Sequence, residues 1–190
     1  MKKIGFIGLG NMASAMIGGI LKKELYSAED IIGSDKSEDS VQKAAKIFGI
    51  HTTTDNLEVA QIADVLILAV KPQFFPEVIA EIKGAVREET LIISIAPGKT
   101  MEWIMEHFGR ELKLVRCMPN TPALLGEGMT GMAYEESNYS EEEKAVLRGI
   151  FEACGRLEVV DERMMDAVGC VSGCSPAYVY MFIEALADGA

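Results

Sequence analysis

The chain has 190 residues, 49% of them hydrophobic and 25% charged, which are globular proportions and exclude a disordered or collagen-like chain. Eighteen basic and 29 acidic side chains give a formal charge of −11. That argues against a nucleic-acid or anionic-membrane partner, both of which need a basic face, and leaves room for a small anionic ligand held by a few local donors. A chain of this length forms one domain, or one plus part of another, and buries about 70% of its unfolded surface without staples.

In chain order, short apolar runs alternate with amphipathic stretches. Residues 3–7 predict a strand, 12–23 a helix, 30–34 a strand and 37–48 a helix. Residues 64–70, nearly all apolar, predict a strand covered on both faces. A helix over 75–86, a strand over 90–95, a helix over 101–108 and a strand over 112–116 follow. Residues 128–134 are a further candidate strand. Ser140-Glu141-Glu142-Glu143 is a capping box ahead of a helix reaching 154, and 157–160 is the last strand. The alternation implies an α/β fold with a doubly wound, mostly parallel sheet of the Rossmann type.

After Asp161 the signals are only helical. Ser175-Pro176 predicts a helix start, with serine as cap and proline in the first turn. Residues 177–187 are apolar apart from Glu184 and the tyrosine hydroxyls, and such a helix must be buried on all sides. Residues 1–160 offer at most one face for it. The expectation is a dinucleotide-binding domain over 1–160, with 161–190 opening a helical domain that packs on further helices, a second subunit, or both.

The four cysteines, Cys117, Cys154, Cys170 and Cys174, show no CxxC spacing, and the only histidines are His51 and His107. Neither a disulfide framework nor a metal site is expected, and a reducing cytoplasm is the expected location. Met1-Lys2-Lys3 ahead of Ala13-Ser14-Ala15 has the outline of a secretory signal, but Gly5, Gly8, Gly10 and Asn11 interrupt the apolar stretch. No apolar run approaches the roughly 18 residues of a membrane span.

Those glycines have another use. Gly8-Leu9-Gly10-Asn11-Met12-Ala13 is a GxGxxA sequence between the first strand and the first helix. Gly8 permits a tight turn, Gly10 lets a pyrophosphate approach the backbone, and Ala13 lets helix and strand pack closely. The second strand ends at Ser34-Asp35-Lys36-Ser37, beside the expected adenosine ribose. Asp35 favours NAD, whereas Lys36 with the two serines favours the 2′-phosphate of NADP. Both cofactors stay open, with a lean to NADPH. Lys71 and Pro72 follow the third predicted strand, at the strand ends where cofactors bind, and Ser94-Ile95-Ala96-Pro97-Gly98 and Cys117-Met118-Pro119-Asn120-Thr121-Pro122 follow the next two. Asn120 and Thr121 offer neutral hydrogen bonds. No nucleophile–base pair stands out, which suits hydride transfer, where the cofactor carries the chemistry.

These segments resemble the Δ1-pyrroline-5-carboxylate reductases of proline biosynthesis. The resemblance spans the chain: the glycine loop, Asp55-Asn56, Ala69-Val70-Lys71-Pro72-Gln73, Val115-Arg116-Cys117-Met118-Pro119-Asn120-Thr121-Pro122, and Ser172-Gly173-Cys174-Ser175-Pro176-Ala177-Tyr178. It implies reduction of the cyclic imine to L-proline with NAD(P)H, and a helical domain that builds a homodimer or a higher oligomer. Carried onto this sequence, it puts Gly8, Gly10, Asn11, Met12 and Ala13 on the pyrophosphate. Ser34, Asp35, Lys36 and Asn56 take the adenosine end. Ala69, Val70, Lys71 and Pro72 with Ala96, Pro97 and Gly98 take the nicotinamide side. Ser172, Gly173, Cys174, Ser175, Pro176 and Tyr178, with Asn120, lie by the substrate, whose carboxylate would meet the predicted helix start at Ser175-Pro176.

The chain departs from the family pattern. Cys174 and Ser175 stand where Ser-Gly is usual, and Gly169 where threonine is usual. Members continue for roughly 80 more residues, including a Gly-Gly-Thr-Thr segment, and these would cover the apolar helix; the sequence reads as a C-terminally truncated copy. Two other readings use the same sheet. A β-hydroxyacid dehydrogenase would need a lysine in the helical part, and none follows Lys144. A non-catalytic dinucleotide-binding module is the other.

Overall fold

The computed structural model describes residues 2–190. The apolar run after Asp64 forms β4 (Val65–Leu68). Its side chains split between two faces with the period of a strand: Val65 and Ile67 join one core cluster, Leu66 and Leu68 the other. Burying each branched side chain is worth about 1.5–3 kcal/mol, so this run takes the middle of the sheet. β5 (Leu91–Ser94) repeats the pattern, with Leu91 and Ile93 on one face and Ile92 on the other.

The remaining strands are β1 (Ile4–Ile7), β2 (Ile31–Ser34), β3 (His51–Thr53), β6 (Lys113–Met118), β7 (Gly128–Ala133) and β8 (Gly155–Val159). They build one eight-stranded sheet in the order β3-β2-β1-β4-β5-β6-β7-β8. Every neighbouring pair is parallel except β6 and β7. The exception follows from the short link between them, since a parallel return needs a long crossover. α1 (Asn11–Lys22), α2 (Glu38–Phe48) and α6 (Glu141–Glu152) cover one face. α3 (Asn56–Ile62), α4 (Phe75–Ile82) and α5 (Met101–Phe108) cover the other. The chain runs outward from β1 to β3 and returns past β1 to β4, so the carboxyl ends of β1 and β4 flank the crevice where the strand order reverses.

β3 and α3 are additions to the expected elements. A three-residue edge strand with no buried residue and a seven-residue helix are both too short to show a period. The helix from Phe75 stops at Ile82 rather than 86, although Val86 remains buried. The capping box is formed as expected: the Glu143 N–H donates to Ser140 Oγ, and the Ser140 N–H donates to Glu143 Oε2.

The chain after Asp161 corrects the sequence reading twice. Helix runs without a break over Glu162–Asp188, 27 residues with mean hydropathy 1.2 in its most apolar window, so one segment does reach the length and composition of a membrane span. An α-helix does begin at Ser175, with Pro176 in its first turn as expected, but Ser175 does not cap it and the chain ahead of it is already helical. Cys174 already has helical dihedrals (φ −91°, ψ −31°), and no side chain caps the turn. The run comprises a first turn over Glu162–Met164, α7 (Met165–Val168), a π turn over Gly169–Gly173 and α8 (Ser175–Asp188). Pro176 has no N–H to give the Ser172 carbonyl four residues back. That carbonyl accepts from Asn120 Nδ2 at 3.2 Å instead, so a side chain from another element closes the gap and the helix continues.

Only the root of this run is packed. Met165 is fully buried with Met118 and Ala133, flanked by Val160 and Val168. α8 buries nothing: Tyr180, Met181 and Phe182 are each more than 60% exposed. The all-round cover that its composition demands is therefore not supplied by residues 2–161. Replacing Ser140 with alanine removes the α6 cap and should lower the unfolding free energy by about 1 kcal/mol, read from the midpoint of a urea titration at unchanged slope.

Candidate active site

The site is built from loops at the carboxyl ends of β1, β2, β4, β5 and β6. The first is the glycine loop. Gly8 has φ +99°, and a Cβ there would lie 2.7 Å from the Ala69 carbonyl oxygen, so only glycine lets the end of β1 lie against the end of β4. The Gly8 N–H donates to Ser34 O and the Ala69 N–H to Ile7 O, tying the ends of three strands together. Gly10 is the residue before α1, extended at φ −72° and ψ −171°, with no side-chain cap. A Cβ on Gly10 would meet nothing within 4 Å. The N–H groups of the first turn of α1 thus face open space, and no acidic side chain stands in that turn. Asn11 is exposed, Met12 half-buried, and Ala13 is buried against the sheet.

At the end of β2 the expected residues separate. Ser34 is fully buried, and its hydroxyl donates to Asn56 Oδ1 at 2.7 Å. Asn56 Nδ2 donates to Glu81 Oε2 at 2.8 Å. Asp35 accepts the Leu9 N–H on Oδ2 and the Ser37 N–H on Oδ1, both at 2.9 Å, so its carboxylate braces the glycine loop and the start of α2. Lys36 is exposed, with Nζ 3.8 Å above the Phe74 ring, and makes no ion pair among the described residues.

A cleft of about 690 Å³ opens beside the loop. One wall carries Met12, Ala69, Val70, Lys71, Pro72, Ile95, Pro97 and Gly98 from the strand ends, with Met118 and Pro119. The other carries Met165, Asp166, Gly169, Cys170, Gly173 and Cys174 from the helical run. Lys71 is the only cation among the lining residues and Asp166 the only anion. Ala96 is buried beneath the wall, and Ser172, Ser175 and Pro176 are half-buried behind it. Tyr178 points away and is 63% exposed. Asn120 does not face the cleft. Its Nδ2 reaches Ser172 O and Oγ, and its Oδ1 accepts the Met129 N–H at 2.9 Å, so it seats the π turn.

Sequence reasoning named Ile95 with its strand-end loop and missed Met165, Asp166 and Cys170. The signal for the last two was there: with Cys174 they repeat at four-residue intervals along the helix.

Comparison with known proteins is decisive here. Residues 3–98 match the family described as NADP oxidoreductase coenzyme F420-dependent. Residues 162–190 match pyrroline-5-carboxylate reductase dimerisation. The pyrroline-5-carboxylate reductase of Escherichia coli K12 is 42% identical over 189 residues, which is 100% of this chain and 70% of that protein. The chain belongs to the pyrroline-5-carboxylate reductase family. Among solved structures, the pyrroline-5-carboxylate reductase of Coxiella burnetii superposes with a TM-score of 0.90 at 34% identity, covering 99% of this chain and 70% of that one. The Plasmodium falciparum pyrroline carboxylate reductase with NADP bound gives 0.87 at 35% identity, covering 99% and 68%. The chain spans about 70% of the length of these reductases.

The family's helical match begins at Glu162, where the continuous run begins here. The first wall of the cleft, Met118 and Pro119 apart, thus lies within the match over 3–98, and the second within the dimerisation match over 162–190. The cysteines divide accordingly. Burial pushes the Cys117 thiol well up and the Cys154 thiol to about 11, while Cys170 and Cys174 are exposed on the cleft wall. N-ethylmaleimide should label Cys170 and Cys174 in the native protein at neutral pH, and Cys117 and Cys154 only after unfolding, as read by peptide mass mapping.

Proposed function

We propose that this cleft is where the chain does the chemistry of its family, and that residues 1–160 serve as the NAD(P)-binding domain and 161–190 as the opening of the substrate and dimerisation domain. The chain is an NAD(P)H-dependent oxidoreductase that reduces Δ1-pyrroline-5-carboxylate to L-proline, the last step of proline biosynthesis. The observation that carries the site assignment is the double wall. Hydride passes directly between two bound molecules, so both must share one cavity, and this cavity has the dinucleotide loop on one side and the dimerisation segment on the other.

The residues present fit a dinucleotide. Open space over Gly10, uncapped N–H groups at α1 and a first turn free of carboxylates suit a pyrophosphate held by Gly8, Gly10, Asn11, Met12 and Ala13. At the adenosine end, both Asp35 oxygens already accept backbone N–H groups, whereas Lys36 is exposed and free of ion pairs. A 2′-phosphate therefore finds a cation there, and a ribose diol finds a carboxylate already engaged, which supports NADPH, with Ser34 acting through Asn56. When bound, the reduced nicotinamide supplies the hydride.

The protein's part is orientation and exclusion of water. Ala69, Val70, Lys71, Pro72, Pro97 and Gly98 form the nicotinamide side. Gly173 and Cys174, with Ser172, Ser175 and Pro176 behind them, form the substrate side. Met12, Ile95, Met118 and Met165 make the walls largely apolar. Lys71 places a positive charge at the cleft for the substrate carboxylate. We place the anion here rather than at the expected Ser175-Pro176 start, because the π turn over Gly169–Gly173 and the helical Cys174 run directly into that start. No lysine follows Lys144, so the helical acid–base lysine of a hydroxyacid dehydrogenase has no counterpart in these residues.

The match of residues 162–190 to a dimerisation family supports a homo-oligomer. We assign α8 as the apolar element that a second copy or further helices cover. Four free cysteines support a reducing cytoplasmic setting.

Mixing the protein with NADPH and pyrroline-5-carboxylate should deplete the reduced-nicotinamide absorbance and yield proline stoichiometrically; NADPH binding without turnover would favour the non-catalytic reading. Gly10→Glu, which puts a carboxylate where the pyrophosphate lies, should abolish NADPH binding by calorimetry. Lys36→Glu should weaken NADPH by about tenfold or more, one lost charge-assisted contact being worth at least about 1.4 kcal/mol, and leave NADH nearly unchanged.

A further inference from the structure

Arg116 is the unexplained residue of β6. Its neighbours Leu114, Val115, Cys117 and Met118 are buried apolar groups, and Arg116 itself is only 2% exposed. An apolar side chain would fill this place without stripping a guanidinium of water. The satisfaction it finds is incomplete, since Nε and Nη2 have no hydrogen-bond partner.

What the guanidinium does reach is the root of the helical run. Nη1 donates to Glu162 Oε1 at 3.1 Å, and Nη2 lies 3.6 Å from Asp166 Oδ1. Glu162 and Asp166 are one turn apart on the same helix face. The same Glu162 oxygen accepts the Met101 N–H at 2.7 Å, at the start of α5. One buried cation in the sheet therefore ties together β6, the start of α5 and the first two turns of the run. Asp166 itself lines the cleft, and Gly169, Cys170, Gly173 and Cys174 follow it along the same wall. Apart from this tie, the run is held by the small Met118–Ala133–Met165 cluster and by Asn120 at Ser172.

We propose that Arg116 is a positioning residue for the reduction: it sets the angle and depth of the helical wall against the dinucleotide wall, without itself touching either reactant. This rests on the reading of the cleft as the reductase site. The cost of the buried charge is tolerated because an apolar residue would leave the wall free to rotate about the Met165 contact. Glutamine, methionine or lysine could fill the space, but only the fork of arginine addresses two carboxylates at once.

The test uses the intact protein and separates positioning from stability. In Arg116→Met, kcat/KM for the imine should fall on the order of 10²-fold, the cost of about 1 Å of misplacement, while the NADPH Kd and the Tm stay near wild type. Arg116→Lys should recover part of the loss. Glu162→Gln should lose activity in the same direction, and Arg116→Met/Glu162→Gln should be no worse than Arg116→Met alone, because both act through one tie. Hydrogen exchange measured without substrate should quicken over residues 162–174 in Arg116→Met and stay unchanged in β1 and α1. Unchanged kcat/KM, NADPH affinity falling in step with activity, or additive losses in the double variant would each overturn the proposal. Should Arg116→Met fail to fold, the lysine and Glu162 variants carry the same comparison. The exchange result stands whatever the substrate proves to be, so unchanged exchange over 162–174 refutes the tie even if the imine reading fails, and quickened exchange in a protein that does not reduce the imine refutes only that reading.

Discussion

The closeness of β1 to β4 at their carboxyl ends governs the rest of the structure. Gly8 sits where any Cβ would strike the Ala69 carbonyl, so the two strand ends meet with backbone against backbone. That contact brings the start of α1 to the rim of the sheet with its N–H groups outward. Lys71 and Pro72, in the loop after β4, line the cleft together with Met12, where the glycine loop enters α1. The cleft exists because these two loops diverge from one point. The doubly wound order supplies the point, since only there do neighbouring strands send their chains to opposite faces.

An acidic protein that holds an anionic cofactor must organise charge locally. Here the carboxylates near the site are largely committed elsewhere. Asp35 accepts two backbone N–H groups, and Glu81 accepts from Asn56. Lys36 and Lys71 are left exposed beside the loops. The net charge of −11 therefore says little about the field at the crevice, where a few oriented N–H groups and two lysines act at short range. The same logic applies at Arg116, where one cation held inside the sheet is worth more to the geometry than several on the surface.

The helical run shows how an element can be specified at one end and left open at the other. Its root is fixed by burial of Met165, by Arg116 and by the Asn120 amide that takes the place of the missing Pro176 N–H. Its far half offers Tyr178, Tyr180, Met181, Phe182 and Ile183 to its surroundings. An exposed apolar surface of this kind marks an interaction site, and it lies within the segment, 162–190, that matches pyrroline-5-carboxylate reductase dimerisation.

Much of this was legible in the amino-acid order. The alternation of β and α signals, the two-faced burial of residues 65–68, the capping box at Ser140 and the GxGxxA turn each arise from neighbours a few residues apart, which is the range over which periodicity and turn chemistry act. Those features determined the fold class, the open glycine turn at the end of β1 and the apolar demand of α8. Tertiary structure alone decided the rest. Asn120 and Ser34 look like ligand-facing groups in sequence, yet one closes a carbonyl 52 residues away and the other is sealed beneath Asn56. Ser175-Pro176 does start α8 as it reads, yet the residues ahead of it are helical too, and a distant amide takes the Ser172 carbonyl that Pro176 cannot serve. β3 and α3 are too short to carry a period: β3 forms on the edge that β2 offers, and α3, capped by Asp55, is held by burial of Val59 and Ala60. Which polar group serves the ligand and which serves the protein depends on hydrogen-bond partners brought together by the sheet order, and no local pattern encodes that.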